Sequence, residues 1–169
     1  QGGGVSLMKP LTDDLKAAIG YRFESTKVTN IDDYASIYVK DQAGTKVTSS
    51  VITSLTKNTI DDIMNPTKGI HSQISFEVAG GPLSGDNYFC RSTAFYGQYI
   101  PAGFWDSTFF VKGTIGAMRA YGGKELPIYE KYYVGGINTI RGFKYGEAGP
   151  KDINEEVIGG KNALYFNLE

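Results

Sequence analysis

LKAAIGYRFE, residues 15–24, decides the fold. Leu15, Ala17, Ile19, Tyr21 and Phe23 fall on one side of a period-two pattern, and Lys16, Ala18, Gly20, Arg22 and Glu24 on the other. Successive side chains of an extended chain point to opposite faces, so the alternation predicts a strand with one apolar and one charged face. The pattern returns at 70–79, where Ile70, Ile74, Phe76 and Val78 oppose His71, Gln73, Ser75 and Glu77. It returns again at 109–118, with Phe109, Val111 and Ile115 against Lys112 and Thr114. At 163–169, Leu164, Phe166 and Leu168 stand against Asn167 and Glu169.

Weaker strands fill the intervals. Residues 47–57 are rich in Thr and Ser, and residues 3–9 are short of pattern because of their glycines. Residues 87–100 are aromatic with a phase slip, which predicts a bulge between Ser92 and Gly97. The expected strands lie near 3–10, 14–29, 46–58, 70–80, 86–100, 107–121 and 161–169, paired in sequence order as hairpins. Connections near Pro10–Asp13, Asn65–Gly69 and Pro101–Gly103 carry the Pro, Gly, Asn and Asp that turns demand. The alternate connections, 29–46, 80–86 and 122–160, include the longer ones, an asymmetry known from outer-membrane barrels.

A membrane barrel is therefore the expectation. Leu15, Ile19, Phe23, Ile74, Phe76, Val111, Ile115, Leu164 and Phe166 should face lipid; Arg22, Glu24, Glu77, Lys112 and Glu169 should face inward. On this reading Glu77→Gln is a mild change. Seven strands cannot close a single-chain bacterial barrel, which uses an even number, and an open sheet edge cannot sit in lipid. The chain is thus expected to be a consecutive segment of a larger barrel. Its start at Gln1-Gly2-Gly3-Gly4 and its stop at Glu169 in mid-pattern also read as those of an excised piece.

Composition agrees. The 169 residues include 22 Gly, 12 Tyr and 9 Phe, which suits pleated surfaces and tight turns. A net charge of −1 leaves no electrostatic footprint for nucleic acid. Cys90, the single cysteine, cannot form an intrachain disulfide. No run reaches the 18 or so apolar residues of a membrane helix, which says nothing against strands.

Between the last two strands runs YYVGGINTIRGFKYGEAGP, residues 132–150. The whole 122–160 connection carries Tyr129, Tyr132, Tyr133, Phe143 and Tyr145, where a floppy linker would be rich in Ser, Pro and Glu. Gly135, Gly136 and Gly142 would let it double back, with Tyr145, Gly149 and Pro150 shaping the return. Composition leaves two readings open, a surface loop or one folded back into a cavity. In the second, the Arg141 guanidinium loses bulk water and needs an acceptor from the polar face of a strand.

This loop resembles that of the BamA family of outer-membrane protein assembly factors. Ile140-Arg141-Gly142-Phe143 matches the RGF signature shared by a wider barrel superfamily. GGKELPIYEKYYVGG before it, the strand FWDSTFFVKGTIGAMRAYGG and the stretch GGKNALYFNLE extend the likeness over nearly the whole chain. The resemblance implies an all-β fold: a seven-stranded antiparallel segment, about strands 6 to 12, of a sixteen-stranded transmembrane β-barrel. It implies that loop 122–160 folds into the lumen, and that the periplasmic POTRA domains and both seam strands lie outside the chain. The implied location is the bacterial outer membrane. The implied activity is folding and inserting other β-barrels without a cofactor. The implied partners are client outer-membrane proteins, periplasmic lipoprotein subunits and the lipid bilayer, with no nucleic acid. Relatives that share the RGF loop but export a polypeptide, in two-partner secretion or the translocation and assembly module, are the alternative, and a passive porin is a third.

The resemblance also implies that an acidic residue on the strand after the loop holds the RGF arginine. NLE, residues 167–169, matches that strand and names Glu169. Period two sends Glu169 inward, and eight residues beyond Lys161 place it about 26 Å down the wall. At 4 Å and an effective dielectric near 20 the attraction is about 4 kcal/mol before desolvation.

Enzyme readings fail on inventory. His71 is the only histidine and sits in mid-strand; Asp61-Asp62 stand beside a turn, where Asp is routine. No nucleophile elbow, zinc-binding HExxH or CxxC is present, and the paired glycines do not form a nucleotide fingerprint. The chain is expected not to be an enzyme.

Overall fold

The computed structural model describes residues 1–29, 40 and 42–169. They form one seven-stranded antiparallel sheet whose strands neighbour one another in sequence order. β1 is Gly2–Pro10, β2 Leu15–Val28, β3 Gly44–Asn58, β4 Gly69–Ala79, β5 Phe89–Pro101, β6 Thr108–Ala120 and β7 Asn162–Leu168. Each end lies within three residues of its expected place. Most of the expected 29–46 connection lies outside the described residues.

The register turns the alternation of single strands into two faces. Ala17, Leu55, Ile74, Ala94, Ile115 and Leu164 pair in series across β2 to β7. Directly opposed residues of antiparallel strands point to the same side, so this is one continuous apolar row. Ile19, Phe23, Ile74, Phe76, Ile115, Leu164 and Phe166 are exposed on that face, and Leu15 is half-buried. Burial instead concentrates on the other side. Ala79, Phe89 and Met118 form a cluster there with Leu126 from the connection after β6, and Ala120 and Tyr132 pack against it.

The expected bulge in β5 is absent. Phe89–Pro101 pairs residue for residue with β6, and Phe89–Tyr99 likewise with β4. The phase slip has another cause. The inward side of β5 carries Phe89, Phe95 and Tyr99 where other strands carry polar groups. Phe89 is buried in the cluster, Tyr99 stacks on Phe110 at 4.3 Å, and Phe95 meets His71 at 5.6 Å. Aromatic residues on both sides erase the alternation without bending the strand.

Candidate functional site

The candidate site is the connection between β6 and β7 where it crosses the inward face. Its neck is closed by a two-way backbone bridge, Tyr132 N to Gly160 O at 3.0 Å and Gly160 N to Tyr132 O at 2.8 Å. Before the neck, Leu126 and Ile128 are buried, and the Gln42 side-chain amide spans them. Its Nε2 donates to Leu126 O at 3.1 Å and its Oε1 accepts from Ile128 N at 2.7 Å. The extended Pro127 then leads into one 3₁₀ turn, Ile128–Glu130, which aims Glu130 at the sheet. Asn87 Nδ2 donates to Tyr129 Oη at 2.8 Å and to Thr48 Oγ1 at 2.7 Å, and burial pushes the Tyr129 phenol above its ordinary pKa.

Glu130 completes a four-membered charge cluster. Its Oε1 is 3.0 Å from Arg22 Nη2 on β2, and its Oε2 and its own carbonyl both accept from Arg91 Nη2 on β5. Glu77 on β4 closes the cluster from the sheet side, 2.7 Å from Arg22 Nη2 and 3.6 Å from Arg91 Nη1, and accepts from Ser50 Oγ at 2.7 Å. Both carboxylates are buried, with side chains 6% and 7% exposed. A buried carboxylate is tolerable only when its lone pairs are filled by donors, and here each is bracketed by two guanidiniums. Glu24 adds an outer contact to Arg22 at 3.2 Å. Glu77→Gln is therefore not mild, since it leaves the two arginines sharing one buried anion, with only the outer Glu24 contact added at Arg22.

At the neck, the Tyr132 ring lies over Gly116 of β6. A Cβ at Gly116 would stand 2.5 Å from its ring, and its hydroxyl is 3.0 Å from Thr93 Oγ1. Tyr133 stacks on Tyr145 with centroids 5.7 Å apart and donates to Ile128 O at 2.9 Å. Gly135, at φ +133, has no room for a side chain because Lys144 O fills the space. Its N–H donates to Thr139 Oγ1 at 2.7 Å, and Gly136 N donates to Ile140 O at 3.1 Å, which makes the turn before Arg141. On the return, Gly149 N donates to Gly146 O at 3.0 Å and Pro150 O accepts from Ile158 N at 3.0 Å.

Arg141 Nη2 lies 3.1 Å from Glu169 Oε1. The contact differs from the desolvated pair expected of it. Arg141 is 64% exposed and Glu169 31%, and Lys112 Nζ reaches the same oxygen at 2.9 Å. Exposed pairs contribute about 0–1 kcal/mol, well under the bare Coulomb figure. Of the other signature residues, Ile140 is half-buried, Gly142 adopts φ +89 and Phe143 stays half-exposed.

Sequence reading missed Glu130 and Arg91, although it placed Arg22 and Glu77 on the inward face. Arg91 was hidden by the phase slip of β5. Glu130 sits in a segment without periodicity, so nothing local distinguishes it from its neighbours. Among the described residues no group of three His, Cys, Asp or Glu side chains is placed to hold a metal ion.

The Omp85 superfamily domain matches residues 1–169. An outer membrane protein assembly factor BamA of Nitratidesulfovibrio vulgaris is 30% identical over 154 residues, 89% of this chain and 19% of that protein. A SAM50-like protein of Schizosaccharomyces pombe is 32% identical over 145 residues, 84% of this chain and 30% of that protein. The chain thus spans 19% and 30% of the length of these curated relatives. The crystal structure of BamA from Haemophilus ducreyi lacking POTRA domains 1–3 superposes with a TM-score of 0.80 at 22% identity, covering 99% of this chain and 36% of that one.

Proposed function

The chain belongs to the Omp85 superfamily, and we propose that it forms part of the barrel wall, with its inward loop, of a bacterial outer-membrane protein assembly factor. The parent protein folds and inserts client β-barrels into the outer membrane, works with periplasmic lipoprotein subunits, and uses no cofactor or enzymatic step. The seven strands contribute wall to a larger barrel whose seam strands and POTRA domains lie elsewhere in the parent. The loop 122–160 lies in the lumen and is locked there.

The observation that carries this reading is Glu130, a loop carboxylate held between arginines of β2 and β5. A porin keeps its lumen open for solute. A carboxylate that ties a long loop to the inward wall instead suits a barrel whose interior is filled and whose work is done at its seam and in the surrounding lipid. Arg141 and Glu169 make a second, looser tie near the loop tip, with Lys112 sharing the anion. An unpaired strand edge at the seam would template the client by strand addition, and a narrow apolar belt would thin the bilayer beside it.

The test uses the full-length parent with its lipoprotein partners in phospholipid vesicles, supplied with an unfolded client barrel. Gel mobility of the folded client, which changes on heating, reads insertion over time. Faster client folding than in empty vesicles is the expected result. Passage of the polypeptide into the vesicle interior without insertion would transfer the assignment to the exporting relatives.

A further inference from the structure

We propose that Gln42 is a positioning residue for the loop lock: its side-chain amide fixes the backbone on both sides of Pro127, so that Glu130 reaches its two arginines. The inference rests on the reading of this chain as wall and lumen loop of an assembly factor. It gives the segment just before β3 a part in holding the loop.

The first observation is the pair of groups that Gln42 satisfies. It lies two residues before β3, in a turn where Ala43 N donates to Lys40 O at 3.1 Å. From there its amide reaches Leu126 O and Ile128 N, 84 and 86 positions away. Leu126, Pro127 and Ile128 are all buried, and Gln42 itself is only 7% exposed. The first N–H groups of a helical turn have no partner inside it, and a buried N–H without one is costly. Pro127 stands at the cap position of the Ile128–Glu130 turn and makes no side-chain bond to it. Gln42 therefore caps this turn from a different connection. The task needs one donor and one acceptor on a neutral side chain, which an amide supplies.

A second observation shows what the cap controls. The turn holds three residues, and Glu130 N closes it on Pro127 O at 3.1 Å. The direction of Glu130 thus follows from the backbone of Pro127, at φ −58 and ψ 133. Its targets do not adjust to it, because Arg22 and Arg91 stand on paired strands of the wall. Tyr129, in the middle of the turn, is held separately by Asn87 from the β4–β5 connection at 2.8 Å. Fixing the start of the turn and its middle leaves the carboxylate at its end one course, between the two guanidiniums.

A carboxyl group at position 42 separates this role from mere filling. Protonated, it would copy the amide, donating to Leu126 O and accepting from Ile128 N. Ionised, it would set a buried anion against the Leu126 carbonyl, where the amide nitrogen now lies at 3.1 Å. Charged groups line the cavities on both sides of Gln42. Lys46 and Asp86 lie on one, Arg119, Lys131 and Lys161 on the other, and Lys124 and Glu125 on both. Among the described residues the cations there outnumber the carboxylates, which keeps such a group ionised at neutral pH.

The experiment uses the full-length parent with its lipoprotein partners in phospholipid vesicles. It reads amide hydrogen exchange at residues 128–130, corrected for intrinsic rates, and client insertion at neutral pH. Gln42→Leu should speed that exchange about tenfold and slow insertion several-fold. Gln42→Glu should match Gln42→Leu at neutral pH and return to the parent's exchange at about pH 4, where Gln42→Leu stays fast. Added to Glu130→Gln, Gln42→Leu should worsen insertion by less than about twofold, since both changes remove one lock. Parent-like exchange in Gln42→Leu, a Gln42→Glu variant that acid does not restore, or defects that multiply in the double variant would each overturn the role. A parent that inserts no client would sink the assembly-factor reading instead, and the exchange rates would still decide whether Gln42 sets the turn.

Discussion

Glu130 Oε1 sits 3.0 Å from Arg22 Nη2, although 108 positions of sequence separate the two residues. The contact fixes the root of the loop to the second strand of the sheet. With Arg91 on the other carboxylate oxygen, it ties the loop across β2 and β5 at once. The pair Arg141–Glu169 ties the tip less tightly, because Arg141 remains largely in water.

Glu130→Gln should therefore loosen the loop more than any change at its tip. Removing one member of a buried charge pair costs about 3–5 kcal/mol, reduced to about 2–3 where the partners keep some solvent. Arg22 and Arg91 keep 28% and 22% of theirs. Trypsin added outside the membrane should cut after Lys131 or Arg141 in the variant and spare the parent. Equal protection of both would show that the root contact does not hold the loop.

At the tip, Arg141→Ala should leave the thermal midpoint of the full-length barrel nearly unchanged, with a cost of about 0–1 kcal/mol. Glu169→Ala should cost more, since it leaves Lys112 and Arg141 without their shared anion. Both single variants should impair client insertion, and the double variant should be little worse than either. Additive defects in the insertion assay would mean that the two residues act separately.

Gly116→Ala should displace Tyr132 and break its contact with Thr93. The added Cβ would meet the ring at 2.5 Å, and overpacking of this kind costs about 1–3 kcal/mol. Combining it with Tyr132→Ala should remove the clash, so the double variant should lose less than the two single losses added. Denaturation midpoints of the four proteins measure the coupling.

On the apolar face, Ile19→Arg should cost about 2–4 kcal/mol if residue 19 lies near the bilayer midplane, falling toward zero at the rims. Equilibrium folding into lipid reads this cost. A neutral Ile19→Arg would put that face against water.

The turn between β3 and β4 should loosen in acid. Asp61 accepts from Thr67 Oγ1 at 2.5 Å and from the backbone N–H groups of Thr67 and Lys68. These bonds, the Thr67 hydroxyl foremost, hold its carboxyl well below the ordinary value of 3.8. A depressed folded pKa means that the stabilisation is complete above the unfolded value and is lost as pH falls through the folded one. Amide exchange at Thr67 and Lys68, corrected for intrinsic rates, should stay constant from neutral pH down to about 4 and speed up below it. Asp61→Asn should remove that dependence.

Strand number, order and the two faces were legible in the sequence because period-two alternation is a local property, fixed by the geometry of an extended backbone. Arg22, Glu77, Ile19 and Ile74 could be assigned a side from their neighbours alone. Glu169 was legible too, from its strand's phase and the resemblance of its loop to a known family. What tertiary structure decided was which inward charges meet. Glu130 has no periodic context and gains its role only when a 3₁₀ turn after Pro127 swings it between strands. The straight course of β5 was likewise hidden, because Phe89, Phe95 and Tyr99 find apolar company under the loop and against neighbouring strands instead of facing water. Partner choice over a hundred residues depends on where the loop lands, and no local pattern encodes that.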